Sequence, residues 1–179
     1  MNVILFGFKS CGKTTLGKIL AKRLDRPFYD TDELLERLYR DETGEDLPFR
    51  EMYKRLGKEA FRKLETDVVK ELKGARDAII AVGGGVILDP VNAELLAKLG
   101  QLVYLKVSKE TLKKRILRGE LPAFLDPADP EGSFEKMVQE RQGKYEKIPA
   151  LAVDLEKKTQ DQVVLELCAW IEQREINNG

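Results

Sequence analysis

Val3-Ile4-Leu5-Phe6-Gly7-Phe8-Lys9-Ser10-Cys11-Gly12-Lys13-Thr14 is the stretch on which the fold of this chain turns. Four apolar residues in a row read as a strand covered on both faces. They run into Gly-x-x-x-x-Gly-Lys-Thr, and a helix-period segment follows from about Lys13 to Leu24, with Leu16, Ile19, Leu20 and Leu24 on one face. Strand, glycine-bounded turn and helix in that order make a phosphate loop. Gly7 and Gly12 let backbone N–H groups close around phosphate oxygens, and the helix N-terminus adds its dipole. Lys13 reaches the β/γ oxygens and the Thr14 hydroxyl can hold Mg²⁺. Ser10, Cys11 and Thr15 belong to the same cradle, with Cys11 read as a small loop filler.

Outward from this stretch, short apolar runs alternate with helical periodicity, the pattern of βα units around a parallel sheet. The remaining strands are expected at Pro27–Tyr29, Ala78–Val82, Leu102–Val107 and, more weakly, Leu151–Val153. Helices are expected at Glu33–Tyr39, Pro48–Leu56, Lys58–Leu72, Pro90–Leu99, Lys109–Leu117, Phe134–Lys147 and Gln160–Arg174. Asp41–Asp46 reads as an acidic connection. Gly119–Ser133, with three prolines, reads as a long irregular loop, and loops of that length are usually functional. Val163, Val164, Leu167, Cys168 and Ile171 form one apolar stripe, which makes Cys168 a core residue. No internal repeat or linker divides the chain, so residues 1–179 read as a single domain.

Composition removes whole classes of chemistry. The 179 residues include no histidine, which excludes Ser-His-Asp and Cys-His catalysis and His-ligated metals. Two distant cysteines make no CxxC pair and point to a reducing compartment. With 31 Lys+Arg against 31 Asp+Glu, the net charge of zero argues against a nucleic-acid or acidic-membrane binder. The longest nearly apolar run, Ala78–Leu88, is broken by three glycines and is too short to span a membrane. The N-terminus has no basic region ahead of its apolar run, so it reads as a strand rather than a signal peptide. A cytoplasmic monomer is the expectation.

A nucleotide site alone does not name the reaction, so the residues for the second substrate matter more. Asp30-Thr31-Asp32 follows the second strand, at the carboxyl edge where open α/β sheets place ligands. Two carboxylates so spaced can divide the work, one toward Mg²⁺ and one toward an incoming hydroxyl. Asp30 and Asp32 also suit a plain turn and helix cap. Gly83-Gly84-Gly85 ends the third strand at the same edge, where backbone amides can be approached closely. Phe61-Arg62-Lys63-Leu64-Glu65 places Arg62 on a helix, and Arg141 and Tyr145 lie one turn apart on another. Each arginine taken alone also reads as a surface residue.

In their order and spacing, these five elements resemble the shikimate kinases over nearly the whole chain. The resemblance implies an α/β fold: a five-stranded parallel sheet flanked by helices, of the P-loop, nucleoside-monophosphate-kinase-like three-layer kind. It implies a lid loop at about residues 115–133 and substrate-binding helices at about 32–72. The implied reaction moves the γ-phosphoryl of ATP to the 3-hydroxyl of shikimate. By resemblance, Lys13 contacts the phosphates, Thr14 and Asp30 serve Mg²⁺, and Asp32 holds the substrate hydroxyls and orients or deprotonates the nucleophile. Arg62 and Arg141 grip the carboxylate, the Gly83–Gly85 amides line the pocket, and Arg115 stacks on adenine.

The lid departs from the family. Its members usually place an arginine directly before a lid proline, over the transferring phosphoryl group, and here the pair is Leu121-Pro122. Arg118 is the nearest guanidinium in sequence and is the expected replacement, with Gly119 and Gly132 as hinges. Ser10 stands where a glycine is common, a mild departure because the motif leaves that position free. The competing readings are another small-molecule P-loop kinase, such as a gluconate or nucleotide kinase, a nucleotide-binding protein without catalysis, and a family member that has lost its chemistry. Asp129-Pro130-Glu131-Gly132 fits D-x-x-G formally, but no N-K-x-D motif accompanies it, which argues against a GTPase.

Overall fold

The computed structural model of the chain describes residues 1–119 and 121–178, Asn178 by its backbone alone. Five strands form one parallel sheet: β1 (Val3–Phe6), β2 (Phe28–Asp30), β3 (Ile79–Ala81), β4 (Gln101–Lys106) and β5 (Leu151–Asp154), in spatial order β2-β3-β1-β4-β5. Val3, Ile4, Leu5 and Phe6 are fully buried, because helices cover the central strand on both faces. Val3 aligns with Ile79 on one side and Gln101 on the other, and Asp30 aligns with Ala81. That register brings the segments after β1, β2 and β3 to one carboxyl edge.

Seven helices follow among the described residues: α1 (Lys13–Leu24), α2 (Thr31–Thr43), α3 (Phe49–Glu71), α4 (Pro90–Leu99), α5 (Lys109–Arg118), α6 (Pro130–Glu146) and α7 (Gln160–Asn178). The α7 stripe is buried as its spacing predicts, Cys168 included. The carboxyl edge rests on a cluster of rings. Phe6 and Tyr104 stack at 5.3 Å, and Phe8 meets Tyr145 edge-on at 4.9 Å.

Two expectations need correction, the extent of the second helix and that of the lid loop. The helix expected at 33–39 runs from Thr31 to Thr43, taking in the first part of the acidic stretch, because Asp30 caps its first turn. The two helices expected at 48–56 and 58–72 are borne out as the two limbs of α3, which meet at Gly57, whose φ of 77° and ψ of 170° are not helical. The lid loop is shorter than expected. Pro130 takes a first-turn position of α6, the Asp129 carboxylate accepts the Gly132 N–H at 2.9 Å, and the helix therefore starts ahead of Phe134. Gly132 lies in that first turn and is not a loop hinge. Glu120, within the expected lid, lies outside the described residues.

Candidate functional site

The phosphate loop is built as its sequence requires. Gly7 has φ of 144°, and a Cβ there would sit 2.8 Å from the Leu105 carbonyl oxygen, so a side chain would push the loop off β4. Lys13 Nζ donates to the Gly7 and Phe8 carbonyls at 3.2 and 2.8 Å, which folds its ammonium over the loop. Cys11 is buried beneath it. Ser10 has φ of 63°, so this position is not conformationally free: the backbone is left-handed there, which favours glycine.

Asp30 connects the loop to α2. Its Oδ2 accepts the Thr14 hydroxyl at 2.7 Å while Oδ1 accepts the Asp32 N–H at 3.0 Å. The cap reading of Asp30 therefore holds, and the cap leaves its second oxygen beside the Thr14 hydroxyl. A hydroxyl and a carboxylate side by side are hard oxygen donors and fit Mg²⁺, which takes few protein ligands and completes its shell with phosphate and water. No cluster of three or more His, Cys, Asp or Glu suited to a metal occurs among the described residues.

Asp32, Arg62, Gly83, Gly84, Gly85 and Arg141 line one cavity of about 340 Å³ with Ser10, Gly12, Lys13, Thr14, Thr15 and Asp30. Five segments far apart in sequence converge there because the parallel register brings their ends to one edge. Burial, reinforced by the neighbouring Asp30 carboxylate, pushes Asp32 up to about 6, against the pull of Lys9 and Lys13. Arg62 is ion-paired to the buried Glu65, whose carboxyl burial raises against the pull of Arg62. The Arg62 guanidinium lies so close over Gly85 that a Cβ there would collide with it. Arg141 stacks on the Phe124 ring at 5.0 Å, and Tyr145, buried one turn on, donates its hydroxyl to the Gly84 carbonyl. The Gly83 N–H is taken by the Thr31 hydroxyl at 2.8 Å, so that amide does not face the cavity free.

Arg115 donates to the Ser10 and Cys11 carbonyls at 3.3 Å each. With Ser10, Cys11, Gly12 and Thr15 it lines a second recess of about 410 Å³ on the other side of the loop. The structure does not bring Arg118 to either place: it is exposed at the end of α5 and lines neither cavity.

Several cavity residues escaped the sequence reading. Lys9 occupies a free position of the loop motif, rests 4.5 Å from the Phe49 ring, and is lowered below the ordinary lysine range by burial, with Lys13 and Arg50 adding to the effect. Phe49, Arg50, Tyr53 and Phe124 carry no motif at all, whereas Glu65 stood in the Phe-Arg-x-x-Glu stretch without an assigned role. The signal for Arg50 and Tyr53 was only their place on a helix expected to bind substrate.

The family model for shikimate kinase matches residues 9–172. A shikimate kinase of Syntrophus aciditrophicus is 42% identical over 144 residues, covering 78% of this chain and 71% of that protein. One from Thioalkalivibrio sulfidiphilus is 34% identical over 169 residues, covering 94% and 86%. Among solved structures, a shikimate kinase from Acinetobacter baumannii in complex with shikimate superposes with a TM-score of 0.84 at 28% identity, covering 97% of this chain and 93% of that one. A gluconokinase from Sinorhizobium meliloti superposes with a TM-score of 0.63 at 16% identity, covering 98% and 94%, and shares the fold alone.

Proposed function

The chain belongs to the shikimate kinase family, and we propose that it transfers the γ-phosphoryl group of ATP to the 3-hydroxyl of shikimate. The observation that carries this reading is the placement of Arg62, Arg141 and Asp32 in one cavity that opens onto the phosphate loop. A small carboxylated polyol needs cations at one end and a hydrogen-bond acceptor at the other. Guanidinium groups hold a carboxylate with directional hydrogen bonds that fix its orientation.

Arg62 and Arg141 anchor the carboxylate, and Asp32 accepts hydrogen bonds from the ring hydroxyls. Lys13 leaves the Gly7 and Phe8 carbonyls for the phosphate oxygens when ATP enters. Arg115 holds the adenine side. Thr14 and Asp30 would hold Mg²⁺, which would supply neutralisation of the phosphate charge. The shikimate hydroxyl oxygen forms a bond to the γ-phosphorus as the bond to the β–γ bridging oxygen breaks, and that oxygen leaves on ADP with the electron pair. Asp32 takes the hydroxyl proton. The protein has little covalent work to do, so alignment and charge neutralisation supply most of the acceleration.

Residues 1–179 act as one kinase domain, as a cytoplasmic monomer without nucleic-acid or membrane partners. The balanced charge supports this setting. A coupled ADP-release assay with Mg-ATP, with and without shikimate, tests the reaction, together with the mass of the product. Shikimate-dependent release and a phosphorylated product are expected. Bound ATP with no stimulation by shikimate would assign a different acceptor.

A further inference from the structure

We propose that Arg50, on α3, supplies to the transferring phosphoryl group the positive charge that the lid does not carry. The inference rests on the kinase reading above. Charge spreads over the equatorial oxygens of the group in flight, and a guanidinium placed there is worth about 10³ to 10⁵ in rate. From Gly119 to Asp129 the lid sequence holds no lysine or arginine. Arg118, just before it, is exposed and outside the cavity.

The cations that line the cavity sort by what holds them. Arg62 is ion-paired to Glu65 and Arg141 lies over Phe124, both at the carboxylate end. Lys13 is bound by the phosphate loop, and Lys9 rests on Phe49. Arg50 donates to the carbonyl oxygen of Leu121, the lid residue directly before Pro122. Its charge reaches Lys9, which in turn interacts with Lys13 and Asp32. Arg50 therefore stands against the inner side of the lid, next to the cations of the phosphate loop and apart from the two arginines assigned to the carboxylate.

The backbone supports the same role. The break at Gly57 separates the turns of α3 that bear Arg50 from those that bear Arg62, so the two arginines need not move together. Because Arg50 binds a main-chain carbonyl, the contact survives any side chain at position 121. The hydrogen bond to Leu121 thus couples the lid to the placement of Arg50, and the guanidinium arrives from the substrate-binding helix instead of from the lid.

The experiment is steady-state kinetics of shikimate phosphorylation by the wild-type chain, Arg50→Ala, Arg50→Lys, Arg118→Ala, Leu121→Arg and the Arg50→Ala/Leu121→Arg double variant. Arg50→Ala should lower kcat roughly 10²-fold or more with both KM values within about threefold, the signature of an interaction made in the transition state. Arg50→Lys should recover only part of the loss, because an ammonium is a point charge without the planar fork, and it carries the test where the alanine variant does not fold. Leu121→Arg should raise kcat about tenfold more in the Arg50→Ala background than in the wild-type chain, since it returns a guanidinium from the lid. Wild-type kcat in Arg50→Ala, a loss confined to shikimate KM, an equal loss in Arg118→Ala, or no recovery from Leu121→Arg would each overturn the assignment. A wild-type chain without shikimate-dependent turnover would overturn the kinase reading itself, a result seen before any variant is compared.

Discussion

Thr14 and Asp30 meet across the floor of the site, where the Thr14 hydroxyl donates to Asp30 Oδ2 at 2.7 Å while the other oxygen of the same carboxylate caps α2. One side chain thus joins the phosphate loop to α2. Asp30→Asn keeps an oxygen for the cap and removes the charge. The Mg²⁺ concentration giving half-maximal rate should rise by about 10- to 100-fold, with the melting temperature little changed. A Mg²⁺ titration of both proteins checks this, and an unchanged requirement would remove Asp30 from the ion.

Asp32 sits under Gly83 so closely that a Cβ on the glycine would lie 2.8 Å from its Oδ1. Asp32→Asn is nearly isosteric there, yet it removes the proton acceptor and the anion that faces Lys9. Turnover should fall by roughly 10² to 10⁴ while ATP binding stays intact. Single-turnover phosphorylation beside equilibrium ATP binding tests the split, and wild-type turnover would defeat the role of Asp32.

Arg62 and Arg141 should differ in a way that their shared ligand does not require. Either change to alanine should raise the shikimate KM by about tenfold or more, with the ATP KM little affected. Arg62→Ala also strands the buried Glu65 carboxyl without its ion-pair partner, and should cost about 1–3 kcal/mol of stability. Arg141→Ala gives up the stacking contact on Phe124 and a hydrogen bond to Tyr145 but leaves Glu65 its ion-pair partner Arg62, and should cost less than Arg62→Ala. Urea unfolding of the two variants would show equal losses only if Glu65 is indifferent to Arg62.

Ser10, at φ of 63°, carries a side chain where the backbone favours glycine. Ser10→Gly should therefore stabilise the free protein by about 1 kcal/mol, offset in part by the larger entropy of the unfolded chain. Calorimetry without ligand reads this directly, and a lower melting temperature would mean that the Ser10 side chain makes a contact worth more than the strain.

The fold and half of the site were legible in the sequence because their determinants are local. The buried run Val3–Phe6, the glycine turn and the Lys13–Leu24 periodicity lie within one stretch, so the conformation of each follows from its neighbours. Asp30 and Asp32 were legible for the same reason: a carboxylate directly after a strand and before a helix has few places to point. Helix ends were read less well, since the extensions of α2 and α6 depend on the caps Asp30 and Asp129.

The rest was decided by register and packing. Nothing near Arg50 in the chain marks it, because one of its acceptors is the carbonyl of Leu121, 71 residues away, and a main-chain acceptor leaves no trace in side-chain identity. Lys9 fills a position that the loop motif leaves open, and only the approach of α3 turns it into a half-buried cation over Phe49. Arg118, next to the lid in sequence, is exposed at the end of α5 and lines neither cavity. The sequence by itself determined the phosphate loop, the alternation of strands and helices and the two aspartates, because local stereochemistry specifies them. Only the tertiary structure decided which arginines share the cavity, because that depends on how distant helices converge at one edge of a parallel sheet.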